Sequence, residues 1–378
     1  MSGATAELAV TGLGVCSPGG VGTESLWNAL NTGRAHRPPL TGFDTTGATL
    51  REAGKVPGTT GGGDGRWRVL ELAEQAAAEA LAGTPEELRE NTAVVLGTTD
   101  PGEVPSANGY FAGELAGASA GRLGLAGEAI TVASSSASGA VAVAVGRDLV
   151  AAGDAPAALV GGADAVTETA FRGLSSLRTL GPHGCRPFSA ERRGIGVSEG
   201  AAVLRLEPLD QAVARGAPVK AVLAGCGLTN ATDHLAAPRA EGIELAVRRA
   251  LADAGLDPDQ IDLVNAHGPG TRQGDRMEIA ALRTVFGARL REIPVVSVKG
   301  VLWHLQGGAG AVEALACVLC LHHRTVSPTW AADPVDPSYL DLDLVTEERP
   351  RAVPGLRTAL TISCGLGGMN TALVFRSV

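Results

Sequence analysis

AELAVTGLGVCS at residues 6–17 has a counterpart in VKAVLAGCGLTN at residues 219–230. Each is an apolar run that closes on Gly-x-Gly, and each reads as a buried strand. An amphipathic helix follows both, WRVLELAEQAAAEALAG from Trp67 and EGIELAVRRALADAG from Glu241, with apolar residues returning every three and four positions. A second short strand follows each helix, TAVVLGTT from Thr92 and IDLVNAHG from Ile261, apolar and β-branched as buried parallel strands are. Further on, ITVASSSASGAVAVAVGRDLVAAG from Ile130 parallels PVVSVKGVLWHLQGGAGAVEALACVL from Pro294: strand, polar turn, then a Gly/Ala helix. The chain therefore reads as a duplicated α/β protein, with βαβ-rich halves at 1–205 and 219–378 joined by the polar stretch EPLDQAVARGAP. Small residues let the two central helices pack closely, and related halves of this kind build one site between them.

The composition fits an enzyme-like globule. Of 378 residues, 45% are hydrophobic and 19% charged, which excludes a disordered chain despite 52 glycines. The formal net charge is −9, with no lysine-rich run or basic stripe, so nucleic acid is not the expected partner. The N-terminus lacks a basic segment ahead of an apolar core, and no run reaches about 18 uninterrupted apolar residues; the expectation is a cytoplasmic protein without signal peptide or membrane span. The six cysteines lack the compact spacing of a secreted disulfide framework, and Cys317 and Cys320, a CxxC within an apolar helix, read as packing rather than as a metal site. No metal is expected. His322 and His323 close that helix, where a cation complements the dipole. GTTGGGDG at 58–65 reads as a surface loop, and PTWAADPVDPSYLDLD as a Pro/Asp-rich connection.

Candidate chemistry collects at strand ends. The serines ending at Ser136 lie where a strand runs into a helix, under free N–H groups that favour developing negative charge, although Ser is also an ordinary helix cap. His267, in NAHGPGT, follows the strand IDLV directly, at the place where α/β sites form. Lys299, one of only three lysines, and His304 form a second cluster in SVKGVLWHLQGGAG, and Glu278 on the helix after His267 is placed to pair with it. CGLGGMN at 364–370 is a Gly-rich loop able to offer backbone N–H groups, but it lacks the Walker phosphate-loop spacing.

These segments, with GDAPAALVGGADAV and CRPFSAERRGIGVSEGAAVLRLE, occur in the order found in β-ketoacyl-acyl-carrier-protein synthases of the elongating type, which the chain resembles over nearly its whole length. The resemblance implies a thiolase-like, duplicated αβαβα five-layer fold, usually dimeric. It implies no bound cofactor, the substrate being a thioester on the phosphopantetheine arm of an acyl-carrier protein. It also implies roles: acylation at the position of Ser136, decarboxylation assisted by His267 and His304, support from Lys299 and Glu278, and a pantetheine contact at Thr271. The backbone N–H groups of Ser136 and Leu366 would form an oxyanion hole, with Leu366 as gate in the loop of Gly365, Gly367 and Gly368.

The departures matter as much. The family carries cysteine where Ser136 stands, and a neutral hydroxyl is a far weaker nucleophile than a thiolate. Leu366 replaces a gatekeeper Phe, Leu302-Trp303 replaces Thr-Gly before the second histidine, and the stretch between Gly97 and Ile130 is short. Cys364 falls where degradative thiolases carry an acid/base cysteine. Three readings follow. The chain is an acyltransferase using Ser136 in polyketide or fatty-acid-type biosynthesis, a silent subunit like the chain-length factors that pair with a Cys-bearing ketosynthase, or a malonyl-carrier-protein decarboxylase. A homodimer or such a heterodimer is expected.

Overall fold

The computed structural model describes residues 7–58, 67–100, 114–231, 235, 237–346 and 349–378. Most of the glycine run at 58–65, the first six residues, and residues 101–113 of the stretch read as short lie outside the described residues.

The first half contains β1 (Leu8–Ser17), α1 (Arg68–Ala80), β2 (Ala93–Gly97), α2 (Leu115–Leu123), β3 (Ala129–Val132), α3 (Ser138–Ala152), β4 (Ala158–Asp164) and β5 (Gly200–Pro208). The second half repeats the order: β6 (Ala221–Asn230), α4 (Ala240–Ala254), β7 (Leu263–Asn265), α5 (Arg272–Phe286), β8 (Val295–Val296), α6 (Ala309–His323), β9 (Thr358–Cys364) and β10 (Met369–Arg376). The strands lie side by side as β3-β2-β4-β5-β1-β6-β10-β9-β7-β8. Exchanging each strand for its repeat reproduces this order read backwards, so a two-fold relation passes between β1 and β6. These two meet antiparallel where Leu8–Val10 face Ala221–Leu223. Strand directions repeat too: β2 is parallel to β3 and β4, as β7 is to β8 and β9.

The repeated Gly-x-Gly has one physical purpose. A Cβ on Gly12 or Gly14 would come within 1.9 Å of a carbonyl oxygen of α1, at Ala80 and Ala76 respectively. In the second half, a Cβ on Gly225 would lie 2.3 Å from Ala250 O, and one on Gly227 2.0 Å from Ala246 O, both on α4. In each half the motif lets an outer helix lie directly on its strand.

Between the half-sheets lie α3 and α6, which give the fold five layers, α-β-α-β-α. They approach closely because small residues meet at the crossing: a Cβ on Gly139 would sit 2.7 Å from Gly307 O, and one on Gly310 2.7 Å from Ala140 Cβ. α6 is buried from Ala309 to Leu321, with Cys317 and Cys320 as packed free thiols. At its end the His323 ring stacks on Trp27 with centroids 4.4 Å apart, and burial lowers its pKa, so packing outweighs a cationic role there. Between the halves, the polar stretch after β5 folds into the short helix Leu209–Ala214. No helix of the described residues is long and apolar enough to cross a membrane.

Candidate functional site

The serine turn joins β3 to α3. Ser138 Oγ accepts the Ser134 N–H at 2.8 Å and lies 2.5 Å from the Ser135 carbonyl, which ties the turn to the first residue of the helix. α3 has no side-chain cap, so Ser136 is not a helix cap. Its hydroxyl has no hydrogen-bond partner among the described residues and lines a cavity of about 130 Å³. Ser135 carries φ +54°, rare outside glycine, and its Oγ accepts the Leu366 N–H at 3.2 Å.

His267 follows β7 as the sequence suggests, but the contact with Glu278 runs through the main chain. The Glu278 carboxylate accepts the N–H groups of His267 (2.6 Å) and Gly268 (2.8 Å) and does not meet the imidazole. Burial pushes its pKa up to about 8, against the pull of those two donors. The side-chain partner of the histidine is Lys299, whose Nζ lies 3.2 Å from His267 Nδ1 and donates to His267 O at 2.7 Å. A third ammonium proton goes to Glu313 on α6, whose other oxygen accepts from Ser363 Oγ at 2.8 Å. Lys299 is therefore fully buried rather than solvated, with all three donors used.

This wiring fixes the tautomers. An ammonium can only donate, so His267 Nδ1 accepts and the ring proton resides on Nε2. His304 Nδ1 accepts the Gln306 N–H at 2.9 Å, which again leaves the proton on Nε2. The two rings stand 5.6 Å apart at 80°, and both line the cavity with Ser136. Burial first, then the Lys299 charge, hold both pKa values well below the usual imidazole range, and His304 adds to this effect on His267. The site thus presents two neutral N–H donors and no imidazole lone pair.

The Gly-rich loop supplies a further part of the cavity lining. Gly365, Leu366 and Gly368 line the cavity, while Gly367, at φ +84°, turns the loop from behind it. Gly365 lies against the serine turn so closely that a Cβ there would reach Ser134 O at 2.7 Å. Thr271 lines the cavity and also caps α5, its Oγ1 accepting the Gly274 N–H at 3.1 Å. Cys364 shares the wall, and burial pushes its thiol well up, away from the reactive thiolate. Leu302 and Trp303 do not line the cavity. Trp303, at φ +59°, packs into a neighbouring core with Leu40 and Phe171, under the Arg37 guanidinium 5.0 Å from its ring.

Two residues of this architecture were not singled out from the sequence. Glu313 was legible in principle, because a lone carboxylate in the apolar run AVEALACVL must have a buried partner. Asp164, at the end of β4, gathers Thr98 Oγ1 (2.5 Å), Thr99 Oγ1 (2.7 Å) and the Gly307 N–H (2.5 Å), and so ties the first half to the turn that carries His304. Burial raises it to about 6 despite these donors.

Residues 67–212 match the N-terminal domain of β-ketoacyl synthases, and residues 220–333 match the C-terminal domain. Nodulation protein E of Rhizobium sp. (strain N33) is 38% identical over 303 residues, covering 79% of this chain and 73% of its own length. A putative polyketide β-ketoacyl synthase 1 of Streptomyces cyaneus is 33% identical, with 98% of each chain covered. That alignment spans 421 positions against the 378 residues here, so the relative carries segments this chain lacks. Among solved structures, the ishigamide ketosynthase/chain length factor superposes with a TM-score of 0.90 at 34% identity, covering 99% of this chain and 100% of its own. A type II polyketide synthase acyl-carrier protein in complex with its ketosynthase gives 0.88 at 25% identity, with coverage of 99% and 100%.

Proposed function

Because this chain belongs to the β-ketoacyl synthase family, we propose that it acts on thioesters carried by the phosphopantetheine arm of an acyl-carrier protein, and that its reaction is decarboxylation of a malonyl-type thioester. The observation that carries this reading is that His267 and His304 both line the cavity with Nδ1 held by a donor, the Lys299 ammonium and the Gln306 N–H, which assigns each ring proton to Nε2. In the reaction, the C–C bond to the carboxylate breaks and CO₂ leaves. The electron pair moves onto the thioester carbonyl oxygen as an enolate, which the two N–H groups stabilise. Solvent then protonates the carbon, giving an acetyl thioester. No nucleophile is needed. Preorganised donors of this kind contribute roughly 10²–10³ in rate each.

The same tautomers argue against Ser136 as an acylated nucleophile. To deprotonate a hydroxyl, an imidazole needs a free lone pair, and both Nδ1 atoms are engaged. The cavity, at about 130 Å³, is also below the ~300–1,000 Å³ of pockets for drug-sized ligands, which suits a slender arm with a short acyl end. Thr271, at the N-terminus of α5, would touch that arm.

A silent-subunit reading has one observation in its favour: the Leu366 N–H, expected in an oxyanion hole, is already satisfied by Ser135. The silent-subunit reading places the chain beside a Cys-bearing ketosynthase, and the decarboxylase reading allows that heterodimer or a homodimer. Pairing through β3 has physical support. It is the free edge of the sheet among the described residues, with Ala129 exposed and Ile130 to Val132 half-buried, whereas the opposite edge, β8, is covered by the segment at Leu344.

Intact-mass measurement after mixing the chain with malonyl-carrier protein separates the readings. Acetyl-carrier protein with an unmodified chain is the expected result. An acyl adduct lost in Ser136→Ala would install the acyltransferase reading instead, and neither product would leave the silent subunit.

A further inference from the structure

We propose that Ser135, the residue before the family's acylation position, occupies the oxyanion notch with its own hydroxyl and thereby suppresses acyl-enzyme formation. The inference rests on the reading that carrier-bound thioesters enter this cavity. An acyl group on residue 136 must place its carbonyl oxygen where backbone N–H groups can stabilise the tetrahedral alkoxide, and the Leu366 N–H is the donor that the Gly-rich loop brings to the turn. Ser135 Oγ already accepts that N–H at 3.2 Å.

The occupant is held in place on several sides. The Ser135 carbonyl accepts the Ser138 N–H at 3.0 Å and is approached by Ser138 Oγ at 2.5 Å, which fixes the backbone at φ +54°. On the other side, Gly365 packs so tightly that a Cβ there would sit 3.2 Å from Ser135 Cβ. A substrate oxygen that is to accept the Leu366 N–H must therefore displace this hydroxyl. No hydrogen bond joins Ser135 to His267 or His304 among the described residues, so the histidine donors are untouched by it. Ser135 is thus a specificity-determining residue: it leaves enolate stabilisation available and closes acylation.

The test restores the nucleophile and then removes the plug. In Ser136→Cys, the new sulfur attacks the carbonyl carbon of hexanoyl-pantetheine, the alkoxide forms and collapses, and the pantetheine C–S bond breaks with release of its thiol. Adding Ser135→Ala or Ser135→Gly is expected to raise the adduct-forming rate by on the order of tenfold or more, since a single oxyanion donor is worth roughly 10²–10³. Alkylation of the same variants by iodoacetamide, which develops no oxyanion, is expected to be unchanged. That control separates the notch from simple access to the sulfur. Equal acylation rates with and without the hydroxyl, including no adduct in any variant, would overturn the proposal, as would a parallel rise in alkylation. Because no carboxylated substrate is used, failure here is distinguishable from failure of the decarboxylation reading.

Discussion

His267 and His304 act as donors because of what holds their other nitrogen, and that control has a measurable consequence. Both pKa values lie well below the unfolded value of about 6.5. Below pH 6.5 the unfolded chain takes up protons that the folded site refuses, so their contribution to stability is present above 6.5 and is lost as pH falls. The groups facing the pair, Lys299, Glu313, Glu278 and Cys364, stay the same in a His267→Asn/His304→Gln variant. Urea unfolding at pH 7.5 and 5.5 is therefore expected to show a larger loss in the wild type than in the variant; equal losses would contradict the neutral-donor assignment. The histidines, Lys299 and Ser136 could be read from the sequence because each stands close to a strand or helix boundary. The pairing of Glu278 with the backbone, the identity of the partner of Glu313 and the hydroxyl of Ser135 could not. Each depends on which of two hydrogen-bonding partners lies nearer in space, and spacing along the chain does not encode that.

At the scale of elements, the repeat was legible because Gly-x-Gly marks a strand on which a helix carbonyl rests, twice over. The central pair was legible for a related reason, since small residues in α3 and α6 allow a close crossing. Gly139→Ala would place a Cβ 2.7 Å from Gly307 O and 3.0 Å from Ala311 N, against backbone that cannot yield cheaply. A loss of about 1–3 kcal/mol in denaturation is expected, as for other overpacked interiors. Gly117→Ala, at an exposed position of helix α2 with nothing within 4 Å, is the control, expected to be neutral or to stabilise by up to about 1 kcal/mol. A Gly139→Ala variant as stable as Gly117→Ala would mean that helix propensity, not the crossing, governs Gly139. The Leu302-Trp303 replacement stands immediately before His304 in the sequence, but neither side chain lines the cavity. A ring as large as Trp303 finds its space in the neighbouring core beside Gly184 and Gly196, so the cavity wall is left to other residues.

For the whole molecule, a covered edge and an edge left free among the described residues support the proposed pairing through β3. Val132→Lys on β3 would set a charge at the proposed junction, and sedimentation velocity is expected to show a shift toward monomer; an unchanged sedimentation coefficient in a dimeric sample would move the interface elsewhere. The duplicated architecture made the fold readable end to end, whereas the reaction turns on one sulfur-to-oxygen exchange whose meaning depends on its neighbours. A hydroxyl without a base, a notch filled from within and two N–H donors support the proposal of a ketosynthase fold that keeps carbanion chemistry and relinquishes acyl transfer. The most direct measurement is the conversion of malonyl- to acetyl-carrier protein by the wild type, Ser136→Ala and His304→Ala, followed by intact mass. Retention of the rate in Ser136→Ala with a loss of about 10²-fold or more in His304→Ala is expected; loss in Ser136→Ala, or no conversion by the wild type, would contradict the account.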